Sequence, residues 1–457
     1  MGQTEDIIGG VAASRIAAVR EREAETYAKA RPETAAALEQ GSGAWLGAVP
    51  MHWMKDWPMP FPMLVEKAQG ATIADIDGNE LDDFCLGDTG SMFGHSPPPV
   101  AKAIRRQARR GLTYMLPSEA TLEAGRLLTR VFGDFRWQIA TTATDANRFS
   151  LRVARAVTGK AKVLVFNGCY HGTVDEAMVE RVNGRTVARA GLAGQVADLS
   201  KTGVACEFND LADVEAALKK GDVAAILTEP VMTNSCMVLP QPGFHDGLRA
   251  LADKYNALLI IDETHTISSG LGGYTRVYGL RPDIFVAGKC IAGGMPTAVW
   301  GLSPKTAEAW ARTDADRPSG HSGMGTTLSA NPMQFACLVA NLSEVMTADN
   351  YARMEKGAAR LHRGLSKAVA RRGAPWHVVR VGARVEFICA PGPLANGAEA
   401  AGAHKPALEA AVHLCLVNRG CLIAPFHNMM LVSPATSKKQ VDRLVDAFDA
   451  ILAELFS

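Results

Sequence analysis

An α/β fold with a mainly parallel sheet is predicted for this chain of 457 residues by three observations. Between about residues 115 and 330, short apolar runs alternate with segments of helical spacing, and this alternation requires crossover connections between parallel strands. Two of these runs end beside the charged residues Asp262 and Lys289, as expected at the edge of a buried sheet. The length exceeds one compact core, which indicates two domains or one large domain with extensions.

The N-terminal part is expected to contain a helix, an extended segment and a hairpin. Residues 12–40 are rich in Ala, Glu and Arg, a composition that favours helix. Their single proline is Pro32. Residues 51–62 carry prolines at a density that excludes helix and favours an extended chain. Residues 71–81 have the pattern of a hairpin, with Asp77-Gly78 at its turn.

The rest of the chain is expected to form the sheet domain and a C-terminal domain. Apolar runs typical of buried strands cover residues 137–140, 163–166, 224–227, 258–261 and 284–286. Further on, strands are predicted at 384–388 and 429–432, and an amphipathic helix at 437–455. We therefore expect an N-terminal segment of the small domain at 1–70, a large domain at 71–330 and a C-terminal small domain at 331–457.

Charge and cysteine content exclude several classes of partner and site. With 48 basic and 47 acidic residues, the chain has no net field to recruit nucleic acid or an acidic membrane. Nine cysteines without a CxxC pair indicate neither a disulfide framework nor a metal site. The polar start Met1–Asp6 and the lack of an apolar run of about 18 residues predict a cytoplasmic protein without signal peptide or membrane span.

Lys289 is the most informative residue of the sequence. It directly follows an apolar run and Gly288, and Gly293 and Gly294 come shortly after it. A solvated surface lysine explains this position poorly. An amine in a dry pocket, where desolvation keeps part of it neutral and nucleophilic, explains it well.

Asp262 supplies the second half of the argument. It closes the apolar run 258–261, and α/β sheets place ligand-binding groups at the carboxyl ends of such strands. Pyridoxal phosphate requires both groups: Lys289 would form the Schiff base, and the carboxylate would pair with the protonated pyridine nitrogen, which keeps the ring an electron sink. Either residue alone would be weak evidence, whereas the pair predicts this cofactor.

A phosphate site is predicted where a helix begins. Thr142, Ala143 and Thr144 follow the strand 137–140 and open a helix whose apolar residues recur every four positions. Free backbone N–H groups at such a start can bind an anion. The alternative is an ordinary Thr/Asp helix cap, but beside Lys289 a phosphate cradle is the better account.

Three further signals are weaker. Tyr170 and His171 follow a strand, where an aromatic ring could stack on a flat cofactor. Glu229 also ends a strand and could orient groups around the cofactor's hydroxyl. Thr326 and Thr327 offer hydroxyls in a turn. A purely structural role is the alternative for each.

From about residue 45 to its end, the chain resembles the class III, fold-type I pyridoxal-phosphate aminotransferases. This family includes the glutamate-1-semialdehyde aminomutases, the ω-amine transaminases and the β-amino-acid transaminases. Motifs whose order and spacing are very specific carry the resemblance: Asp75–Asn79, Phe93–Pro97, Tyr170–Gly172, Glu229-Pro230, Asp262-Glu263, Gly288-Lys289 and Thr327–Pro332.

The resemblance implies a large domain with a mainly parallel seven-stranded sheet, and a smaller α+β domain built from both ends of the chain. It implies that Lys289 carries pyridoxal phosphate, that Asp262 meets the pyridine nitrogen and that Tyr170 stacks on the ring. His171 and Thr264 are expected beside the cofactor.

The resemblance also implies a shared active site. The phosphate would be held by residues 142–144 of one subunit and by Thr326 and Thr327 of its neighbour. The protein is therefore expected to be a homodimer or a dimer of dimers.

Three departures from the family pattern concern the pocket. Ala143 replaces a glycine of the usual phosphate motif, and Thr264-His265-Thr266 makes a more polar wall. Many amine and β-amino-acid transaminases bind the substrate carboxylate with an arginine near the point where this chain has Phe426 and His427. Losing a guanidinium fork loses bidentate recognition, so a neutral or bulky apolar amine is expected as donor.

The residues expected at the substrate entrance are Trp53, Trp57, Phe93 and Phe426, with His427, Met54 and Met92. A keto acid as second substrate needs a cation, which His427, Arg384 or Arg419 could supply.

The implied reaction is an amino-group transfer in two halves. The donor amine displaces Lys289, whose freed ε-amine moves a proton as general base and acid, and a keto acid or aldehyde completes the ping-pong cycle. An aminomutase, a racemase or a decarboxylase stays open, because pocket geometry decides the outcome. Retention of both Lys289 and Asp262 disfavours a non-catalytic binding protein, and the missing GxGxxG fingerprint disfavours an NAD-dependent oxidoreductase.

Overall fold

The computed structural model describes residues 6–457, apart from the side chain of Ser42. The polar start expected at residues 1–6 thus lies, except for Asp6, outside the described residues. The strands are β1 Ile7–Ile8, β2 Val11–Ala12, β3 Val65–Gln69, β4 Thr72–Asp75, β5 Glu80–Asp83, β6 Arg136–Ala140, β7 Lys162–Phe166, β8 Val179–Val182, β9 Arg185–Ala188, β10 Gly203–Cys206, β11 Val223–Thr228, β12 Leu258–Asp262, β13 Ile284–Ala287, β14 Ala298–Leu302, β15 His377–Val381, β16 Arg384–Ile388, β17 Cys421–Leu422 and β18 Met429–Leu431. The α-helices are α1 Ala13–Lys29, α2 Pro32–Gly41, α3 Pro98–Gln107, α4 Glu119–Phe132, α5 Ala143–Thr158, α6 Leu211–Leu218, α7 Phe244–Lys254, α8 Gly273–Tyr278, α9 Pro304–Ala315, α10 Pro332–Ala340, α11 Ala348–Arg372, α12 Gly397–Ala403, α13 Pro406–Asn418 and α14 Lys438–Leu455.

The chain divides into two compact units, which we call the sheet unit and the terminal unit. The sheet unit comprises Pro97–Ala348 and Leu394–Gly402, and the terminal unit comprises the chain up to Ser96 with Asp349–Pro393 and Ala403–Ser457. These limits differ from the expected boundaries at residues 70 and 330. The hairpin β4–β5 joins the terminal unit because β5 pairs with β17, whereas α10 joins the sheet unit because it packs against α3 and α4.

The sheet unit is built on seven strands in the order β10-β7-β11-β12-β13-β14-β6. All neighbours are parallel except β14, which runs antiparallel to both β13 and β6. Every residue of β11 is buried, as expected for a strand covered on both faces. The prediction of an α/β fold with a mainly parallel seven-stranded sheet is confirmed.

The terminal unit combines small sheets with long helices. A four-stranded sheet has the order β17-β5-β4-β3 and a three-stranded sheet the order β15-β16-β18. Its core is a cluster of buried apolar residues from α1, α11, α13, α14 and the strands between them. The expected C-terminal helix is present as α14, and the Ser437 hydroxyl caps it by accepting from the N–H of Gln440.

Two expectations for the N-terminal part are corrected. The helix expected over residues 12–40 is two helices, because Pro32 has no N–H to continue α1 and instead begins α2. The segment expected to be extended contains one 3-10 turn at His52–Lys55. The hairpin is confirmed, with Gly78 at a φ of 82° in its turn.

All nine cysteines are buried. Over residues 6–457, no helix combines the length and the apolar character needed to cross a membrane.

Candidate active site

The carboxyl edge of the seven-stranded sheet gathers the predicted site residues of the sheet unit. Strands β6, β7, β11, β12 and β13 all run in one direction, so their carboxyl ends lie at one edge. Five predicted residues lie at these ends or follow them: Thr142, Tyr170, Glu229, Asp262 and Lys289. In the β12–β13 pair Asp262 lies opposite Val286, which explains how residues distant in sequence reach one site.

Lys289 occupies a constrained position just beyond β13. Its φ is 50°, in the left-handed region that L-residues with a side chain seldom adopt. Such conformations persist where the surrounding structure enforces them, commonly at functional sites. A Cβ atom on the preceding Gly288 would come within 2.9 Å of the Ala143 methyl. Glycine is therefore required where the Lys289 turn meets the start of α5.

The ε-amine of Lys289 contacts a histidine that follows β12. Its Nζ lies 2.9 Å from Nε2 of His265. His265 is 4 % exposed and Lys289 is half-buried, so bulk water competes little with this contact.

Three groups surround the carboxylate of Asp262. Its Oδ2 accepts from Nδ2 of Asn147 at 2.8 Å and lies 3.0 Å from Nδ1 of His171. Its Oδ1 accepts from the N–H of Thr264 at 3.1 Å. The carboxylate is 4 % exposed and is fixed by elements that follow β6, β7 and β12.

These contacts set the charge of the buried pair. Burial alone would raise the pKa of the Asp262 carboxyl, but hydrogen bonds from His171, Thr264 and Asn147 lower it below its usual value. Burial opposes a charge on His171, but Cys169 and Asp262 outweigh it and raise its pKa to about 10. The directions of both pKa shifts favour an ionised carboxylate beside a protonated imidazole.

The start of α5 has the features of an anion site. Thr142 caps the helix by accepting from the N–H of Asp145, and Oγ1 of Thr144 accepts from the N–H of Thr173 at 3.2 Å. The N–H groups of Ala143 and Thr144, in the first turn, have no acceptor within the helix. They can bind an anion, and the helix dipole adds to the attraction.

The turn at Thr326 and Thr327 lies near this helix start. Oγ of Ser329 is 2.8 Å from Oγ1 of Thr141 and 2.7 Å from Oγ1 of Thr326. Thr326 and Thr327 are both exposed. Their role toward a second subunit stays a prediction.

Glu229 is tied to its own neighbourhood. Its carboxylate accepts from the N–H of Tyr170 at 3.4 Å, and from both the N–H and the hydroxyl of Thr233. Burial raises the pKa of Glu229. These bonds hold the Tyr170 loop against β11, while the Tyr170 residue is 41 % exposed at the edge of the sheet.

The residues expected at the substrate entrance belong to the terminal unit. Trp53, Met54 and Trp57 line an apolar cavity of about 560 Å³. The Trp57 ring also packs edge-on against His413, with 5.7 Å between centroids. Phe426 is exposed at 46 % and His427 is buried.

Two of these expectations are corrected by burial. Phe93 is 5 % exposed and packs edge-on against Tyr351, with ring centroids 5.6 Å apart, and Met92 is fully buried. Both side chains belong to the core because they are buried, and the Tyr351 ring packs against Phe93. Their apolar character in the sequence fits either role.

Two of the cations proposed for a keto acid, Arg384 and Arg419, differ in their surroundings. Arg384 is fully buried, and its guanidinium donates to Oγ1 of Thr89 at 2.6 Å. Arg419 pairs with Glu23 at 3.4 Å and donates to the Cys415 carbonyl. Since a carboxylate already neutralises Arg419, it is a poor candidate for a second one.

The groups at the sheet edge fit the cofactor that the resemblance implies. An amine, an ionised buried carboxylate and a helix start lie together, which matches the aldehyde, the pyridine nitrogen and the phosphate of pyridoxal phosphate. Within the described residues, Oγ1 of Thr264 is buried without a hydrogen-bond partner. This hydroxyl, beside Asp262, is available to a bound group.

The sequence assigns no role to three residues of this cluster: Asn147, His265 and Ser329. A buried asparagine in the first turns of a helix is a signal for Asn147, since buried polar side chains need partners. For His265, the signal is its place in the polar segment Thr264-His265-Thr266, which departs from the family pattern. Only the fold reveals what either one contacts.

Comparisons with known proteins show the family to which this chain belongs. Residues 53–452 match the model of the family Aminotransferase class-III. A glutamate-1-semialdehyde 2,1-aminomutase from Roseiflexus castenholzii is 34% identical over 371 residues, which cover 80% of this chain and 83% of that one.

Solved structures extend the likeness over nearly the whole chain. A glutamate-1-semialdehyde-aminomutase from Pseudomonas aeruginosa PAO1 has 47% identity and a TM-score of 0.96, covering 98% of this chain and 100% of that one. A second structure of that enzyme is a complex with PMP. An omega-transaminase from Sphaerobacter thermophilus has 26% identity and a TM-score of 0.84, covering 92% and 98%. This chain therefore belongs to the class-III aminotransferase family of pyridoxal-phosphate enzymes.

Proposed function

We propose that this enzyme moves an amino group between two carbons of one molecule, as a glutamate-1-semialdehyde 2,1-aminomutase does. One observation carries the proposal. A relative at 34% identity and a solved structure at 47% identity are both glutamate-1-semialdehyde aminomutases by name. The proposal departs from the transamination that the sequence favoured and takes up the aminomutase alternative.

The side chains of the site have the chemistry for this reaction. When bound, pyridoxal phosphate supplies an electron sink for the carbon that carries the amino group. Lys289 would hold the cofactor covalently and, once released, its Nζ would carry a proton from one carbon to another. Asp262, kept ionised by its donors, would hold the proton on the pyridine nitrogen.

The start of α5 and Tyr170 would position the cofactor. The N–H groups of Ala143 and Thr144 would bind the phosphate, and the ring of Tyr170 would stack on the pyridine face. Asn147 and His171 would act on the cofactor only through Asp262.

Transamination of a simple amine is the second candidate. The sequence Ala424–Met430 contains no arginine, and Arg419 is paired with Glu23. A substrate carboxylate therefore lacks a guanidinium partner in this segment, which favours an apolar amine donor. The likeness to an omega-transaminase supports this reading as well.

Substrate dependence distinguishes the two candidates. An aminomutase converts glutamate-1-semialdehyde into the isomer with the amino group on C1, without any second substrate. A transaminase needs an acceptor and yields a ketone from the amine. We expect the purified, cofactor-loaded protein to form this isomer without a second substrate. Chromatography coupled to mass spectrometry detects the product. Formation of ketone from amines only when a keto acid is present would favour the second candidate.

The role of Lys289 is tested separately. We expect Lys289→Ala to bind the cofactor without a borohydride-reducible bond and to lose turnover. Wild-type labelling by borohydride at any other lysine would contradict the assignment. For the second candidate, Phe426→Arg should improve the use of β-amino acids, since a hydrogen bond to a charged group contributes on the order of 1.5–3 kcal/mol.

A homodimer with shared sites completes the proposal. Exposed apolar side chains are concentrated between α3 and α4 of the sheet unit and in the early part of α4: Leu112, Tyr114, Met115, Leu116 and Leu122. Clusters of exposed apolar side chains commonly mark protein–protein contacts. A second subunit would cover them.

A further inference from the structure

We propose that His265 is a positioning residue for Lys289, holding its ε-amine by a hydrogen bond between Nε2 and Nζ. The inference rests on the proposed role of Lys289. Its main observation is the distance of 2.9 Å between the two nitrogens, within hydrogen-bonding range.

The backbone around His265 is anchored so that its imidazole has little freedom. On one side, the buried Glu263 carboxylate accepts from the Thr266 hydroxyl at 2.6 Å and from the N–H groups of Tyr274 and Thr275. On the other side, the Ser268 hydroxyl donates to the His265 carbonyl at 2.9 Å. This loop is therefore fixed at both ends, and the ring at its centre is 4 % exposed.

A lysine side chain benefits from such a partner. Its stem has four rotatable bonds, and holding it in one conformation costs side-chain entropy. The unusual backbone of Lys289, with a φ of 50°, fixes where the stem begins, and His265 fixes where it ends. A side chain held at both ends brings its amine to the reacting carbons with less reorganisation.

The charged groups next to His265 along the chain have other partners. Asp262 lies against His171, and Glu263 accepts from N–H groups of α8. His265 contacts Lys289 through its own ring nitrogen.

A purely packing role would not need a nitrogen at this position. Leucine fills a comparable volume and would cover Lys289 without bonding it. The experiment therefore compares His265→Ala, His265→Leu and His265→Gln, of which only the last keeps a side chain able to hydrogen-bond. His362→Gln, in α11 of the terminal unit, is the matched control because its ring bonds only the Val378 carbonyl among the hydrogen bonds of the described residues.

The readout is the rate of covalent cofactor attachment to cofactor-free protein, followed by absorbance and by borohydride trapping at Lys289. We expect attachment to slow by about tenfold or more in His265→Ala and His265→Leu, since misplacing a reacting group by about 1 Å can cost on the order of a hundredfold. Added imidazole should restore the attachment rate of His265→Ala in proportion to the imidazole concentration. His265→Gln should retain part of the wild-type rate.

Several results would overturn the inference. Wild-type attachment rates in His265→Ala and His265→Leu would remove the role of the histidine while leaving the proposed function intact. A slow His265→Ala without imidazole rescue, together with an equally slow His265→Gln, would indicate a structural defect instead. If wild-type protein attaches no cofactor at Lys289, the proposed function fails as well. His265→Gln preserves polarity and approximate size, so it remains a test if the smaller variants do not fold.

Discussion

Asn147 donates from Nδ2 to Oδ2 of Asp262 at 2.8 Å and so joins the helix after β6 to the end of β12. The same Nδ2 donates to the His171 carbonyl at 3.2 Å. One amide therefore ties together the loop after β7, the first turns of α5 and the acidic residue proposed to meet the pyridine nitrogen.

Replacing Asn147 with alanine should weaken cofactor binding and destabilise the fold. The fully buried Asp262 carboxylate and His171 carbonyl would each lose a donor, at about 1–3 kcal/mol for a buried group left unsatisfied. Titration of cofactor-free protein with pyridoxal phosphate measures the first effect, and urea unfolding measures the second.

Ser150→Ala is the matched control for Asn147. Its hydroxyl is equally buried one turn later on α5 and, among residues 6–457, bonds only the Ala146 carbonyl, at 2.8 Å. We expect a stability loss without a change in cofactor affinity. Equal affinities in all three proteins would show that Asn147 has no part in holding Asp262 for the cofactor.

Gly288→Ala should disturb the approach of the Lys289 turn to α5. The new methyl would lie 2.9 Å from Cβ of Ala143, and neither atom can move without its backbone. Overpacking of this kind costs typically 1–3 kcal/mol. Thermal unfolding and the rate of cofactor attachment should both report the loss.

The double variant Gly288→Ala/Ala143→Gly tests the cause. Removing the Ala143 methyl leaves the next contacts of the new Cβ at 3.5 Å, an ordinary packing distance. Most of the lost stability should return in the double variant. If it does not, the effect of Gly288→Ala has another origin than this contact.

The pH dependence of stability should contain a contribution from His171. Its pKa is raised to about 10 in the fold, against about 6.5 in an unfolded chain. The contribution is fully present below pH 6.5 and is lost as pH rises toward 10, because the folded state holds a proton that the unfolded state has released. Over this window the free energy of unfolding should fall by up to about 1.4 kcal/mol per pH unit.

Urea unfolding of cofactor-free protein between pH 6.5 and 10 measures this slope. His171→Gln removes the titrating group, so its stability should fall less steeply, although it is lower at pH 6.5. The Asp262 carboxyl acts in the opposite direction: its lowered pKa adds stability that is lost only as pH falls into the acidic range. Parallel slopes in the two proteins would argue against a protonated His171.

A mixing experiment tests whether the active sites are shared between subunits. Lys289→Ala and Thr327→Asp subunits are each expected to be inactive alone, the second because a carboxylate would repel the phosphate. If Thr327 serves its neighbour, each mixed dimer has one intact site. Random reassociation should then restore roughly a quarter of wild-type activity, since half of the dimers are mixed.

Sedimentation tests the proposed dimer through the mass of the particle. Met115→Glu/Leu116→Glu would place two charges in the exposed apolar segment, where both side chains are at least 70 % exposed. We expect it to shift sedimentation toward monomer. An active wild-type monomer, or no recovery on mixing, would contradict the shared site.

The positions of the strands and of the two charged residues beside them follow from local sequence. Runs such as 258–261 and 284–286 are apolar on both sides of the chain, so burial between helices was the only stable outcome, and they appear as β12 and β13. Asp262 ends β12 and Lys289 follows β13, so both lie at the edge of the sheet, as the sequence predicts. Their roles toward a cofactor stay predictions.

Which side chains meet depends on long-range packing. The contacts of Asn147 with Asp262 and of His265 with Lys289 join residues on different strands, and no local pattern encodes which strands are adjacent. The same limit explains why Phe93 was expected in the pocket: an apolar residue serves equally in a core, and only packing against Tyr351 distinguishes the two. Local preferences fix elements, whereas long-range packing fixes the partners of each side chain.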